Sequence, residues 1–187
     1  MCIRDSTDDG TGSLIGVEIA NGRQRWVYPT RNGIYNTPAV RGDTVFVSSH
    51  DGTIHAVDTA SGRARWTRMS AAGYGSSPAV AGEEVYVSSR DGYLHALDAG
   101  SGALRWRAWF SDGLGSSPVI AGERIYVQSS SGLVSALDRA DGTRLWSYET
   151  EAIAGSSPVV ADGLVLVGQG HDYYGEGEGY LYAIGGD

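Results

Sequence analysis

The stretch that decides the fold is residues 76–109, SSPAVAGEEVYVSSRDGYLHALDAGSGALRWRAW. It holds four short apolar runs, each closed by turn chemistry. Ala81-Gly82-Glu83, Arg90-Asp91-Gly92 and Gly100-Ser101-Gly102 are the punctuation. Glycine reaches the positive φ such turns need, and Asp or Ser can bond back to the backbone. Asp-Gly between apolar runs is a hairpin signal. The stretch therefore predicts a four-stranded antiparallel meander.

The same unit recurs along the chain. Trp26, Trp66, Trp106 and Trp146 are spaced by forty residues, as are Pro38, Pro78, Pro118 and Pro158. Gly12, Gly52, Gly92 and Gly132 keep that period, and so do Gly22, Gly62, Gly102 and Gly142. Independent residue types in one register mark a structural repeat.

The second strand of each unit reads Val45-Phe46-Val47, Val85-Tyr86-Val87, Ile125-Tyr126-Val127 and Val165-Leu166-Val167. Consecutive residues of a strand point to opposite faces, so these sheets are buried on both sides. Blades stacked about an axis meet that demand, because each buries its faces on its neighbours. The repeated Trp is large enough to dominate the contact. A β-trefoil has three such units, and a WD-type propeller closes its third strand with Trp-Asp, a dipeptide absent here. The expected fold is an all-β propeller of four-stranded blades, with the four Trp largely buried between blades.

The repeat sets the boundaries. Blades fall at 30–69, 70–109 and 110–149, flanked by partial blades at 12–29 and 150–187. The leading strand could pair with the trailing three to close a four-bladed ring. The other arrangement, an open arc of a larger propeller, is the stronger expectation, since propellers commonly hold about 4–8 blades. Residues 1–11 match nothing in the repeat and are expected to be foreign to it or disordered. Residues 1–6 contain no apolar stretch that would make a signal peptide.

The net charge of −8 argues against nucleic acid and anionic membrane surfaces, which call for basic patches. No segment approaches the roughly 20 apolar residues of a membrane-spanning helix. The single Cys2 lies outside the repeats, which leaves them without thiol chemistry or a disulfide.

The segments Ala56-Val57-Asp58-Thr59-Ala60-Ser61-Gly62…Trp66, Ala96-Leu97-Asp98-Ala99-Gly100-Ser101-Gly102…Trp106 and Ala136-Leu137-Asp138-Arg139-Ala140-Asp141-Gly142…Trp146 resemble the repeat motif of pyrroloquinoline-quinone (PQQ)-like propellers. Val17-Glu18-Ile19-Ala20-Asn21-Gly22…Trp26 is a weaker copy. The resemblance implies stacked blades, with each Trp docking one blade on the next. It also implies a cell-envelope location, periplasmic or extracellular. Family members divide between quinoprotein dehydrogenases and cofactor-free interaction scaffolds, so fold does not settle function.

Enzymatic members often carry a vicinal Cys pair and Ca²⁺-binding carboxylates and amides. No Cys pair occurs here, and no ligand set matches residue by residue. PQQ and Ca²⁺ are therefore expected only in a complete parent protein, and no cofactor in this chain. Asp58, Asp98 and Asp138 recur, whereas a catalytic acid needs one singular environment. They are expected to accept backbone N–H groups of the following turn. Ser76-Ser77-Pro78, Ser116-Ser117-Pro118 and Ser156-Ser157-Pro158, with Asn36-Thr37-Pro38 as the variant, open the innermost strand. No His recurs near them as a base, so they too read as structural. His55 and His95 share one strand position and are expected to be ordinary strand residues, not a metal pair.

The irregular hairpin is the last. Gly168 to Gly179 carry a seven-residue insertion when Ala183 is aligned with Ala136. Loops on a rigid scaffold tend to carry binding function. Asp172, Glu176 and Glu178 offer hard oxygen ligands for Ca²⁺, and Tyr173 and Tyr174 offer a partner contact. A solvated excursion is the plain alternative. The expected function is a non-catalytic scaffold presenting loops and a central channel to a protein or small ligand. A piece of a quinoprotein alcohol or sugar dehydrogenase is the second reading, and a sensor ectodomain of an envelope receptor the third.

Overall fold

The computed structural model describes residues 2–6, 11–114, 116–150, 156–169 and 179–185, with the backbone alone at 2–6 and 169. No helix occurs among them. The strands form five antiparallel sheets. The first holds β1 (Cys2–Ser6), β2 (Gly12–Val17) and β3 (Gln24–Thr30). The second holds β4 (Ala39–Arg41), β5 (Thr44–Ser48), β6 (Thr53–Asp58) and β7 (Ala64–Met69). The third is β8 (Ala79–Ala81), β9 (Glu84–Ser88), β10 (Tyr93–Asp98) and β11 (Leu104–Trp109). The fourth is β12 (Val119–Ala121), β13 (Arg124–Gln128), β14 (Leu133–Asp138) and β15 (Arg144–Glu149). The fifth has β16 (Val159–Ala161), β17 (Leu164–Gln169) and β18 (Tyr180–Gly185). Every sheet is a meander in chain order, because turns this short leave each strand beside the one before it.

Burial on both faces explains the stacking. On β5, Val45 and Val47 pack backward with Leu14 of the first blade and with Ile34 of the segment that leads into β4, beside Val57. Phe46, between them, packs forward with Tyr74, Val85, Val87 and Leu97. The same division recurs where Tyr86, Leu94 and Ala96 meet Ile125, Val127 and Leu137. Tyr126, Val134 and Ala136 then meet Val165 and Val167. Four inter-blade cores replace one central core. The innermost strands β4, β8, β12 and β16 are successive neighbours.

The architecture is an open arc, the stronger of the two expected arrangements: among the described residues β18 pairs with β17 alone, and β2 and β3 lie in a sheet with β1. Cys2–Ser6, set outside the repeat by its side chains, pairs with β2 from Cys2↔Gly16 to Ser6↔Gly12. A main-chain ladder needs no side-chain motif, so the repeat pattern could not reveal it.

Candidate functional site

The repeated residues that invited chemical readings serve the blade contacts. Trp26 Nε1 donates to Thr59 O at 2.9 Å, Trp66 Nε1 to Ala99 O at 2.9 Å, and Trp106 Nε1 to Arg139 O at 3.2 Å. Each bond crosses to the next blade. The four Trp are half-buried, less than expected, because they sit on the outermost strands. Trp146 packs in the last inter-blade core beside Tyr126.

Asp58 Oδ1 accepts Ser61 N at 2.8 Å, Ala60 N at 3.2 Å and Ser61 Oγ at 2.7 Å. Its Oδ2 accepts Arg65 Nη2 at 2.5 Å. Asp98 repeats the pattern with Ser101 N at 2.9 Å, Gly100 N at 3.1 Å and Arg105 Nη2 at 2.6 Å. The arginine, then the Ser101 hydroxyl and amide, hold the Asp98 carboxyl down at about 2. Asp138 accepts Ala140 N at 2.8 Å. A carboxylate held ionised by fixed donors is a poor general acid or base at neutral pH.

The serines divide two tasks. Ser76 Oγ accepts Ser88 N at 2.9 Å, Ser116 Oγ accepts Gln128 N at 2.8 Å, and Ser156 Oγ accepts Gly168 N at 2.9 Å. The second serine links blades instead. Thr37 N donates to Ser77 Oγ at 2.9 Å, Ser77 N to Ser117 Oγ at 3.0 Å, and Ser117 N to Ser157 Oγ at 3.0 Å. A chain of hydrogen bonds thus runs around the inner rim, blade to blade.

His55 and His95 occupy separate inter-blade spaces. His55 Nδ1 is 3.0 Å from Tyr28 Oη, and His95 Nδ1 is 3.2 Å from Tyr74 Oη. Burial pushes both imidazoles down, His95 to about 4, so they are neutral at pH 7. Beside Tyr28, Asp51 and His55 lies a groove of about 320 Å³, also lined by Thr53 and Thr67. In the next blade Tyr93 and Arg107 take the places of the two threonines, with the guanidinium 4.4 Å over the ring.

The two ends of the blades differ. At the end of the β4–β5 and β6–β7 turns, Arg65 pairs with Asp43 and Asp58, Arg105 with Asp98, and Arg41 with Glu83 of the next blade. At the opposite end Tyr35 is 57% exposed. Its ring meets His50 edge-on at 4.6 Å, and His50 Nε2 is 3.3 Å from Arg90 Nη2. An exposed aromatic beside an arginine is the composition of binding hot spots. This trio was not singled out from the sequence, though a signal was present. Tyr35 stands where the repeat has Gly75 and Gly115.

Asp172, Glu176 and Glu178, the expected Ca²⁺ ligands, and Tyr173 and Tyr174, the expected partner contact, lie outside the described residues. The insertion joins β17 to β18, the connection that in the second sheet carries His50. Among the described residues no three His, Cys, Asp or Glu cluster to hold a metal.

A family model described as outer membrane protein assembly factor BamB matches residues 6–73 and 50–184. The chain belongs to the PQQ-like propeller repeat family. Solved propellers share its fold. BamB from Moraxella catarrhalis superposes with a TM-score of 0.73 at 19% identity, over 88% of this chain and 56% of that one. The computationally designed Ika8 protein gives 0.79 at 15% identity, over 98% and 55%. Quinohemoprotein alcohol dehydrogenase from Comamonas testosteroni gives 0.64 at 20% identity, over 73% and 29%. The chain spans about half the length of the first two. No curated protein matches it by sequence. At these identities the solved structures establish the fold alone. No helix among the described residues is long and apolar enough to cross a membrane.

Proposed function

We propose that this chain is a non-catalytic propeller scaffold of the cell envelope. It binds a protein partner at the end bearing Tyr35, His50 and Arg90. The observation that carries the reading is the contrast between spent and unspent groups. The repeated Asp and Ser side chains, and three of the four Trp, are engaged in turn or inter-blade bonds. Tyr35, by contrast, presents an aromatic face to solvent on a rigid frame. Large aromatics held by few rotatable bonds give contact area at low entropic cost. The family model's own description, an outer membrane protein assembly factor, supports a protein-binding role.

Photo-cross-linking from position 35 in a Gram-negative envelope fraction tests the reading. A discrete protein adduct, weakened severalfold by Arg90→Ala, is the expected result. No adduct would overturn it. The dehydrogenase reading makes the opposite demand, a PQQ site with Ca²⁺. Calorimetric titration of the purified chain with PQQ and Ca²⁺ is expected to give no saturable heat, and tight saturable binding would replace the scaffold reading.

A further inference from the structure

The groove between the first and second sheets lacks charges that its repeat equivalent contains. It measures about 320 Å³ and is lined by Tyr28, Asp51, Thr53, His55 and Thr67. Forty residues on, the same positions hold Arg68, Asp91, Tyr93, His95 and Arg107. The acid and the imidazole are common to both, whereas the two arginines are missing from the groove. In the third sheet Arg107 is the cross-strand neighbour of His95. Burial is the largest influence on the His95 imidazole, and the charges of Asp91, Arg68 and Arg107 all reach it. Burial is again the largest at His55, where the charge that acts is that of Asp51.

Asp51 is therefore a carboxylate held in place without a cation. Its side chain is 9% exposed. Oδ1 accepts Thr53 N at 2.9 Å, and Oδ2 accepts Arg31 N at 3.2 Å. Arg31 also lines the groove, but its side chain is exposed, and among the described residues Asp51 forms no ion pair with an arginine. His55 is 6% exposed, and its Nε2 is buried with no hydrogen-bond partner. Asp51 Oδ1, 3.9 Å away, is too distant to serve. A shielded carboxylate beside an unpaired imidazole nitrogen favours a ligand that brings positive charge and several donors. The third sheet places such a group there itself, the Arg107 guanidinium lying 4.4 Å over the Tyr93 ring. Thr67 and Thr53 leave the corresponding space open.

We infer that this groove binds a guanidinium-bearing ligand, whose planar fork pairs with Asp51 and with the hydroxyls of Thr53 and Thr67. A fork of fixed donors suits a carboxylate flanked by hydroxyl acceptors better than a compact ammonium does. The volume, at the low end for ligand sites, fits one such group with a short stem. A free small guanidine and an arginine side chain of an extended peptide present the same chemistry. The inference is carried by residues other than those of the proposed partner surface at Tyr35.

Amide NMR shifts of the complete chain, titrated with agmatine and separately with N-acetyl-arginine methylamide, test it. At least one probe is expected to saturate with a Kd of about 1 mM or tighter, shifting the amides of Thr53, His55 and Thr67. Tighter binding of agmatine points to a free guanidine as the source, and tighter binding of the capped arginine points to a peptide. Asp51→Asn keeps an acceptor for Thr53 N while removing the charge, and is expected to weaken binding at least about tenfold. Thr67→Arg installs the side chain that the third sheet carries at Arg107, a replacement the fold accommodates, and is expected to abolish binding. Butylamine is expected to bind at least about fivefold more weakly than agmatine. No saturable shift with either probe would refute the inference. Undiminished binding by Asp51→Asn or by Thr67→Arg would also refute it, and equal affinity for butylamine would refute the guanidinium preference.

Discussion

The indole of Trp66 lies against the backbone of Gly102 in the next blade. A Cβ built on Gly102 would come within 2.6 Å of Trp66 Cε3. Gly62 meets Trp26 and Gly142 meets Trp106 in the same way. The repeated glycine is therefore a docking plate as well as a turn residue. Gly22 is the internal control. It has the same positive φ, 72°, yet nothing lies within 4 Å of its Cβ position. Gly22→Ala is expected to cost only left-handed strain, about 1–2 kcal/mol. Gly102→Ala adds a clash with a packed ring, raising the loss to about 3–4 kcal/mol. Urea denaturation of the two variants gives the comparison, and equal losses would show that the indole contact contributes nothing.

Trp66 itself supplies two separable effects. Trp66→Phe keeps a ring over Gly102 but deletes the 2.9 Å bond to Ala99 O, at an expected cost of about 1 kcal/mol. Trp66→Ala removes the ring as well. The side chain is half-buried, so the cost should fall below the range for a fully buried Trp, at about 2–3 kcal/mol. Denaturation midpoints at constant slope measure both. A loss for Trp66→Ala no larger than for Trp66→Phe would move the docking energy elsewhere.

The period of Trp, Pro and Gly carried the blade architecture, because a repeat that buries both faces leaves few other folds. The second strands Val45-Phe46-Val47 and Val85-Tyr86-Val87 carried the two-sided burial. What the sequence hid was which groups meet across neighbouring blades. The stacking of Trp66 on Gly102 joins residues of different repeats, and no local pattern encodes it. Cys2–Ser6 joins a sheet through backbone alone. The proposed partner surface was harder still. Tyr35 declares itself only as a departure from Gly75 and Gly115, and only the fold places it beside His50. The expected ligands in the β17–β18 insertion remain a sequence proposal.

His95 gives the fold a predictable response to acid. Burial lowers its pKa from 6.5 to about 4, because the charged imidazolium loses its hydration between blades. The unfolded chain then binds more protons than the folded chain between these values. Stability contributed by the neutral ring is complete above pH 6.5 and is lost as pH falls toward 4. The expected loss is about 3 kcal/mol. His95→Ser installs the residue that the next repeat carries at Ser135 and should flatten this part of the profile. Unfolding free energies at a series of pH values measure the slope. An unchanged slope in the variant would assign the acid sensitivity to other groups.

The two serines of one Ser-Ser-Pro motif should respond unequally to the same change. Ser116 Oγ accepts the backbone N–H of Gln128, and both residues are buried. Ser116→Ala leaves that amide without an acceptor and without water. The cost of such an orphan is about 1–3 kcal/mol. Ser117 Oγ accepts Ser77 N on the partly exposed inner rim. There water can replace the hydroxyl, so Ser117→Ala is expected to cost about 0.5–1 kcal/mol. Hydrogen exchange separates the two by site. Ser116→Ala should strip protection from the Gln128 amide beyond the global change. Ser117→Ala should act on the Ser77 amide and loosen the contact between two blades. If both variants lost the same stability with no local change in exchange, the two rows of bonds would have to be regarded as equivalent.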